Sequence, residues 1–170
     1  MAMPLIINEE TVHKTLRRMT HEIIEKNDDL KNVVLVGILK KGLPIAVLIR
    51  DNIQQYAGIE IPVYELDISM YRDDEKKRPA ALPAISVAGK TCILVDDVLF
   101  TGRTVRAAMD ALVDLGRPKR VELAVLIDRG HRELPIRADY VGKNAPTSLE
   151  EIVIVNMTGP DAGVHIERKR

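Results

Sequence analysis

The sequence predicts an α/β fold with a mainly parallel central sheet covered by helices on both faces. Three observations lead there. Short apolar runs such as Val33-Val34-Leu35-Val36 and Cys92-Ile93-Leu94-Val95 are continuous and rich in β-branched residues, as strands buried on both faces require. Helical patterns alternate with these runs, which is the order of right-handed βαβ crossovers. The chain has 170 residues, a length that one domain spanning 1–170 accommodates, with about 70% of the unfolded surface removed from water.

Taken in order, residues 9–26 carry Val12, Leu16, Met19 and Ile23 at helical spacing, with Lys14, Arg17, Arg18 and His21 on another face. A buried strand is expected over 31–38. Pro44 suits the first turn of a helix over 43–56, where its missing N–H costs nothing, and Gly58 suits the stop. A strand over 59–68 precedes a polar stretch, 69–90, that contains Pro79 and Pro83. Further expectations are a strand over 92–95 and a helix over 104–115 with Val105, Ala108, Met109, Leu112 and Leu115 inward. Gly116 and Pro118 should end that helix. A strand over 121–127 and shorter ones over 138–141, 151–156 and 164–167 complete the pattern.

Lys+Arg and Asp+Glu each number 25, which excludes the net positive field of a protein that coats nucleic acid non-specifically. Any polyanion site must be local. No apolar run approaches the ~20 residues of a membrane span, and residues 1–8 have no basic start, so no membrane association and a cytoplasmic location are expected. The single Cys92 sits in an apolar run and reads as a buried thiol. His165 and the terminal Arg168-Lys169-Arg170 read as ordinary surface.

The chemistry concentrates in Ile93-Leu94-Val95-Asp96-Asp97-Val98-Leu99-Phe100-Thr101-Gly102-Arg103-Thr104, a strand running into paired carboxylates and a loop that opens a helix. Thr101 to Thr104 offers hydroxyls, an unhindered glycine and unpaired N–H groups, an anion cradle suited to a phosphate monoester. Asp96 and Asp97 would repel that phosphate and so should face hydroxyls or a divalent cation. A phosphate a few ångströms from a diol describes a ribose 5-phosphate. Other phosphate motifs fail: Gly37 to Gly42 has P-loop spacing, but Leu43-Pro44 follows in place of Lys-Ser/Thr, and no G-x-G-x-x-G occurs. Gly37-Ile38-Leu39-Lys40-Lys41-Gly42 nevertheless puts two lysines between a strand and a helix, where they can neutralise a second phosphate group.

The strand, acidic pair and Thr-Gly loop resemble the type I phosphoribosyltransferases, which use 5-phosphoribosyl-1-pyrophosphate (PRPP). That resemblance implies a central sheet flanked by helices, with a small hood and a mobile lid loop. It implies that Asp96 and Asp97 hold the ribose 2- and 3-hydroxyls and, indirectly with PRPP, Mg²⁺. Val98, Leu99, Phe100, Thr101, Gly102, Arg103 and Thr104 then form the PRPP and UMP loop around the 5-phosphate, and Lys40, Lys41 and Gly42 meet pyrophosphate. Tyr71-Arg72-Asp73-Asp74 heads the lid stretch, and Arg72 covers pyrophosphate upon closure. Leu39-Lys40-Lys41-Gly42 itself is similar to the hypoxanthine-type enzymes, which keeps a purine substrate open as an alternative.

Leu126-Ile127-Asp128-Arg129-Gly130-His131-Arg132-Glu133-Leu134-Pro135-Ile136-Arg137-Ala138-Asp139-Tyr140-Val141-Gly142-Lys143-Asn144 narrows the resemblance. It is similar to the bacterial pyrimidine-operon attenuation regulators that are also uracil phosphoribosyltransferases. The family implies PRPP, uracil and UMP as small-molecule partners and UMP-dependent binding of the operon's leader mRNA. Its RNA face maps onto Arg18, His21, Arg137 and Lys143. Residues 117–143 carry seven Lys/Arg against four acids, a local basic surplus that survives overall neutrality. With one Phe, four Tyr and no Trp, base recognition would rest on arginine planes and hydrogen bonds. Base specificity is expected in Asp128 to Arg132, and a homo-oligomer, dimer or higher, follows from the prevalence of two-fold assemblies. A salvage enzyme without RNA binding and a regulator without catalysis remain as alternatives.

Overall fold

The computed structural model describes residues 5–71 and 86–169. Its strands are β1 (Leu5–Asn8), β2 (Val33–Ile38), β3 (Val63–Leu66), β4 (Thr91–Leu99), β5 (Arg120–Asp128), β6 (Tyr140–Asn144), β7 (Glu151–Asn156) and β8 (Gly163–Arg168). Helices are α1 (Glu9–Lys26), α2 (Gly42–Ala57) and α3 (Arg103–Leu115). Five strands form a parallel sheet in the order β3-β2-β4-β5-β6, and β1-β8-β7 form a separate antiparallel sheet, the hood.

Strand alternation explains why the central strands read as unbroken apolar runs. Val33, Leu35, Ile93 and Val95 point into a core shared with α1, α2 and the hood. Val34, Val36, Cys92 and Leu94 point into a second core closed by α3. Both faces are therefore dry. On α2, Ile45, Ile49 and Ile53 recur at i, i+4 and i+8 and are fully buried, each such side chain worth about 1.5–3 kcal/mol of transfer free energy.

Helix α1 covers 9–26 as its periodicity predicts. Its start is fixed by Asn8, whose Oδ1 accepts from the Thr11 amide at 2.8 Å and satisfies one of the orphan N–H groups there. Gly58 ends α2 with φ +69°, the left-handed stop that glycine permits.

Several expectations are corrected. The strand expected over 59–68 is only Val63–Leu66, because β3 is an edge strand paired with β2 alone. The strand expected over 92–95 runs to Leu99, since Asp96 and Val98 remain in register with Val125 and Ile127 of β5. The strand expected over 138–141 starts later, at Tyr140, and reaches Asn144.

Met109 faces outward, 43% exposed. Ala107, Ala108 and Ala111 bring the buried stripe of α3 round to the opposite side, and at ~100° per residue Met109 lies off it. His165 is 8% exposed rather than surface, because β8 is the middle strand of the hood, with β1 on one side and β7 on the other. Residues 72–85, with Arg72 and the proposed lid, lie outside the described residues. Among the described residues, no helix is long and apolar enough to cross a membrane.

Candidate active site and nucleic-acid interface

Parallel pairing brings the carboxyl ends of β2, β4 and β5 to one edge of the sheet. Gly37 pairs with Val95, and Leu99 with Asp128. The chain proceeds from β2 outward to β3 and from β4 outward to β5, so a crevice opens between β2 and β4 where the order reverses. Ligands of open α/β sheets sit at such a switch point.

On one side of that crevice, β4 ends in Asp96 and Asp97. Asp96 is 8% exposed; its Oδ1 accepts from the Asp97 amide at 2.8 Å, and Asp97 Oδ1 accepts from the Val98 amide at 2.8 Å. The backbone thus fixes both carboxylates. Phe100 to Gly102 then turns into α3, with Gly102 at φ +95° directly before the helix. A cavity of about 70 Å³ is lined by Asp96, Phe100, Thr101, Gly102 and Thr104, among others. It combines hydroxyls, helix-start amides and one wall of carboxylate.

The Arg103 amide donates to Thr101 Oγ1 at 3.2 Å. Its guanidinium instead turns to Glu133, with Nε donating to Oε1 at 2.8 Å. That pair is solvent-exposed and worth little, ~0–1 kcal/mol.

On the other side, Gly42 opens α2 against β4. A Cβ there would stand 2.1 Å from the Val95 carbonyl oxygen, so only glycine allows this approach. Lys40 and Lys41 are both exposed, and the Lys41 ammonium donates to the Val155 carbonyl of the hood at 2.9 Å.

The segment after β5 buttresses the loop before α3. The Glu133 and Leu134 amides donate to the Thr101 carbonyl at 2.9 and 3.1 Å, and Ile136 and Leu134 pack against Gly102. Arg132 donates from Nη1 to the Phe100 carbonyl and from Nε to the Ile136 carbonyl, each at 2.8 Å, and pairs with Asp128 through Nη2. The Arg129 guanidinium lies 4.1 Å from the Phe100 ring centroid and donates to the Ser148 carbonyl at 2.9 Å. Burial lowers the Arg129 pKa from its usual value, with the Glu151 charge opposing; an arginine remains a cation even so. His131 sits edge-on to Phe100 and contacts the Thr147 carbonyl.

Of the residues expected on a nucleic-acid face, the structure brings Arg18 and the end of β6 together. Arg18 Nη2 donates to the Val141 and Gly142 carbonyls, next to exposed Lys143, and its Nη1 pairs with Glu22 at 3.0 Å. His21 lies one turn along α1 and packs at a tilt against Tyr56, with ring centroids 4.5 Å apart. Arg137 is exposed just before β6.

The far end of α1 is fastened through Lys26, which pairs with Glu122 at 3.2 Å and Asp139 at 3.3 Å. The Glu122 side chain is 1% exposed, and the Tyr140 hydroxyl donates to it at 2.9 Å. Burial and this carboxylate together push the Tyr140 pKa up.

Among the described residues, no cluster of three or more His, Cys, Asp or Glu is arranged to hold a metal. Asp96 and Asp97 supply two hard oxygen ligands, a set that fits Mg²⁺ only with oxygens contributed by a substrate.

A phosphoribosyl transferase domain model matches residues 7–161. "Bifunctional protein PyrR" of Chloroflexus aurantiacus is 56% identical over 163 residues, covering 92% of this chain and 89% of that protein. "Pyrimidine operon regulatory protein" of Lactococcus lactis is 52% identical over 171 residues, covering 100% and 99%. The chain belongs to the PyrR family of phosphoribosyltransferases. The PyrR-family fold extends to distant enzymes: the hypoxanthine phosphoribosyltransferase of Trypanosoma cruzi superposes with a TM-score of 0.76 at 19% identity, over 99% of this chain and 98% of that one.

Within this PyrR-family chain, three residues make contacts that their order along the chain does not give. Arg132 and Arg129 were legible only as members of a base-specificity segment, whereas their side chains hold the loop before α3. Lys41 was assigned to pyrophosphate with no sign of its tie to the hood.

Proposed function

We propose that this phosphoribosyltransferase transfers the phosphoribosyl group of PRPP to N1 of uracil, giving UMP and pyrophosphate, and binds the pyrimidine operon's leader mRNA when UMP is present, favouring transcription termination. The observation that carries the reading is the β4–α3 junction: two backbone-fixed aspartates beside a small cavity lined by hydroxyls and a helix start. The PyrR relatives, named bifunctional and operon-regulatory, support the pairing of activities.

In this reading the 5-phosphate rests on the amides and hydroxyls of Thr101 to Thr104. Several oriented hydrogen bonds supply most of that affinity, since the helix end adds only about 0.3–2 kcal/mol. Asp96 and Asp97 accept from the ribose hydroxyls and so set the rotation of the sugar. Lys40 offers an exposed ammonium to the departing pyrophosphate, with Gly42 letting the backbone approach, and Arg72 covers the same group. Mg²⁺ bound with PRPP would neutralise charge on the leaving group. The protein's contribution is positioning: it aligns N1 of the base with the anomeric carbon and excludes water that would hydrolyse PRPP. Arg18, His21, Arg137 and Lys143 contact the RNA. The regulator acts as a homo-oligomer, which sedimentation at micromolar concentration tests.

The test pairs two assays on one preparation. Turnover is measured with PRPP, Mg²⁺ and uracil, hypoxanthine or guanine in turn, and a gel shift on leader RNA is run with and without UMP. Uracil turnover together with a UMP-dependent shift is expected. Turnover on purines alone, turnover without an RNA shift, or a shift without turnover would each replace the reading with one of its alternatives.

A further inference from the structure

We infer that the groove between the hood strand β1, the first half of α1 and the end of β6 is a subsite for one extruded base of the bound RNA. This rests on the RNA-binding reading above and goes beyond it by locating base recognition in a recess beside the exposed cations.

The groove has a volume of about 340 Å³ and is open on one side. Its walls are β1 with Leu5 half-exposed, Thr11 and Thr15 of α1, and Gly142 and Lys143 of β6. That volume lies at the lower end of small-molecule sites, too narrow for a duplex. Among the described residues, the lining carries one cation, Lys143, and no carboxylate. Three acids of α1 are engaged along the helix: Glu9 with His13, Glu10 with Lys14 and Glu22 with Arg18.

Three features argue for a base rather than a phosphate. A backbone phosphate can be held on an open surface and needs no recess of this volume, whereas a base that leaves the stack does; here Leu5 and Ile6 stand beside Asn8, Thr11 and Thr15 in the lining. The hydroxyls of Thr11 and Thr15 and the amide of Asn8 provide donors and acceptors for a heterocycle's edge. The cations lie on the rim: Arg18 is fixed on the Gly142 carbonyl one turn past Thr15, and Lys143 stands on the facing strand. A backbone held on that rim would present an unstacked base to the recess, which is how single-stranded RNA loops are read. Gly142 sets the depth, since a Cβ there would lie 2.9 Å from Thr15 Cγ2 and 2.4 Å from the Leu126 carbonyl oxygen. The chain has few aromatic residues on which a base could stack, so hydrogen bonds to the mainly polar lining would hold the base here.

The test uses a hairpin from the pyrimidine-operon leader with an unpaired loop, at saturating UMP and several salt concentrations. Thr15→Leu fills the recess and is expected to weaken hairpin binding at least tenfold. Its salt slope and uracil turnover should match the unmodified protein, because no phosphate contact is lost. Replacing each loop nucleotide in turn by an abasic residue should identify one position at which the Thr15→Leu penalty disappears. If Thr15→Leu lowers the melting temperature, the exposed Thr11→Leu carries the same measurement. Equal affinity in the variant and the unmodified protein, or an unchanged penalty across every abasic hairpin, overturns the subsite. An unmodified protein that does not shift the hairpin overturns the RNA reading itself.

Discussion

Arg132 donates through Nη1 to the Phe100 carbonyl at 2.8 Å, a side-chain bond that joins the Glu133 and Leu134 amides in fastening the segment after β5 to the loop that precedes α3. The same guanidinium reaches the Ile136 carbonyl and the Asp128 carboxylate. Because its donors lie in one plane, arginine can serve three acceptors at fixed angles, which lysine cannot. Arg132→Lys should therefore raise the KM for PRPP several-fold more than it lowers kcat. Arg132→Ala should in addition cost about 2–3 kcal/mol of stability, from lost charge-assisted hydrogen bonds. Steady-state kinetics and urea unfolding check both.

The two activities should separate by mutation. Asp96→Asn with Asp97→Asn removes the charges proposed to orient the ribose and should reduce turnover at least a hundredfold. Arg137→Ala should weaken leader RNA binding with uracil turnover intact. Equal loss of both activities in both variants would contradict separate surfaces.

If Arg18 contacts RNA as proposed, Glu22 competes with it for that guanidinium. The ion pair at 3.0 Å joins two partly exposed side chains, a contact worth ~0.2–1 kcal/mol. Glu22→Gln should accordingly tighten RNA binding about 1.5- to 5-fold at low salt, with the gain shrinking as salt screens the pair. Filter binding at two ionic strengths measures it.

Alkali should destabilise the fold through two buried acids. Burial pushes the Cys92 thiol up from 9.0 to about 11, and burial with the Glu122 hydrogen bond raises Tyr140 as well. Each folded-state group keeps a proton that the unfolded chain releases. The stability they contribute is complete below pH ~9 and is lost as pH rises toward 11 and beyond. Urea midpoints at pH 8 and pH 10.5 should show the fall, and Cys92→Ala should remove part of it. Native Cys92 should also resist alkylation at pH 8 until the protein unfolds.

The central sheet was legible because its signals are local. β2 and the first part of β4 are unbroken apolar runs, and α1 carries Val12, Leu16, Met19 and Ile23 at i, i+4, i+7 and i+11 with no competing pattern, so its limits at 9 and 26 emerge unaided. Edges were less legible: β3 looked longer because Ile61 and Ile68, although buried, lie outside the ladder. The hood's β1 escaped notice because four residues pair only with β8, a partner more than 150 positions away. At the candidate site, Asp96, Asp97 and the Thr-Gly loop could be read from their order along the chain. Arg129 and Arg132 could not, since their partners Phe100 and Ser148 meet them only after β5 pairs with β4 and the chain returns beyond β6.

A crystal grown with UMP tests the central claim most directly. The phosphate should lie against the amides of Gly102 to Thr104 and the hydroxyls of Thr101 and Thr104, with the ribose 2- and 3-hydroxyls donating to Asp96 and Asp97. A nucleotide bound at any other place, or bound here with its ribose turned away from both aspartates, would contradict it.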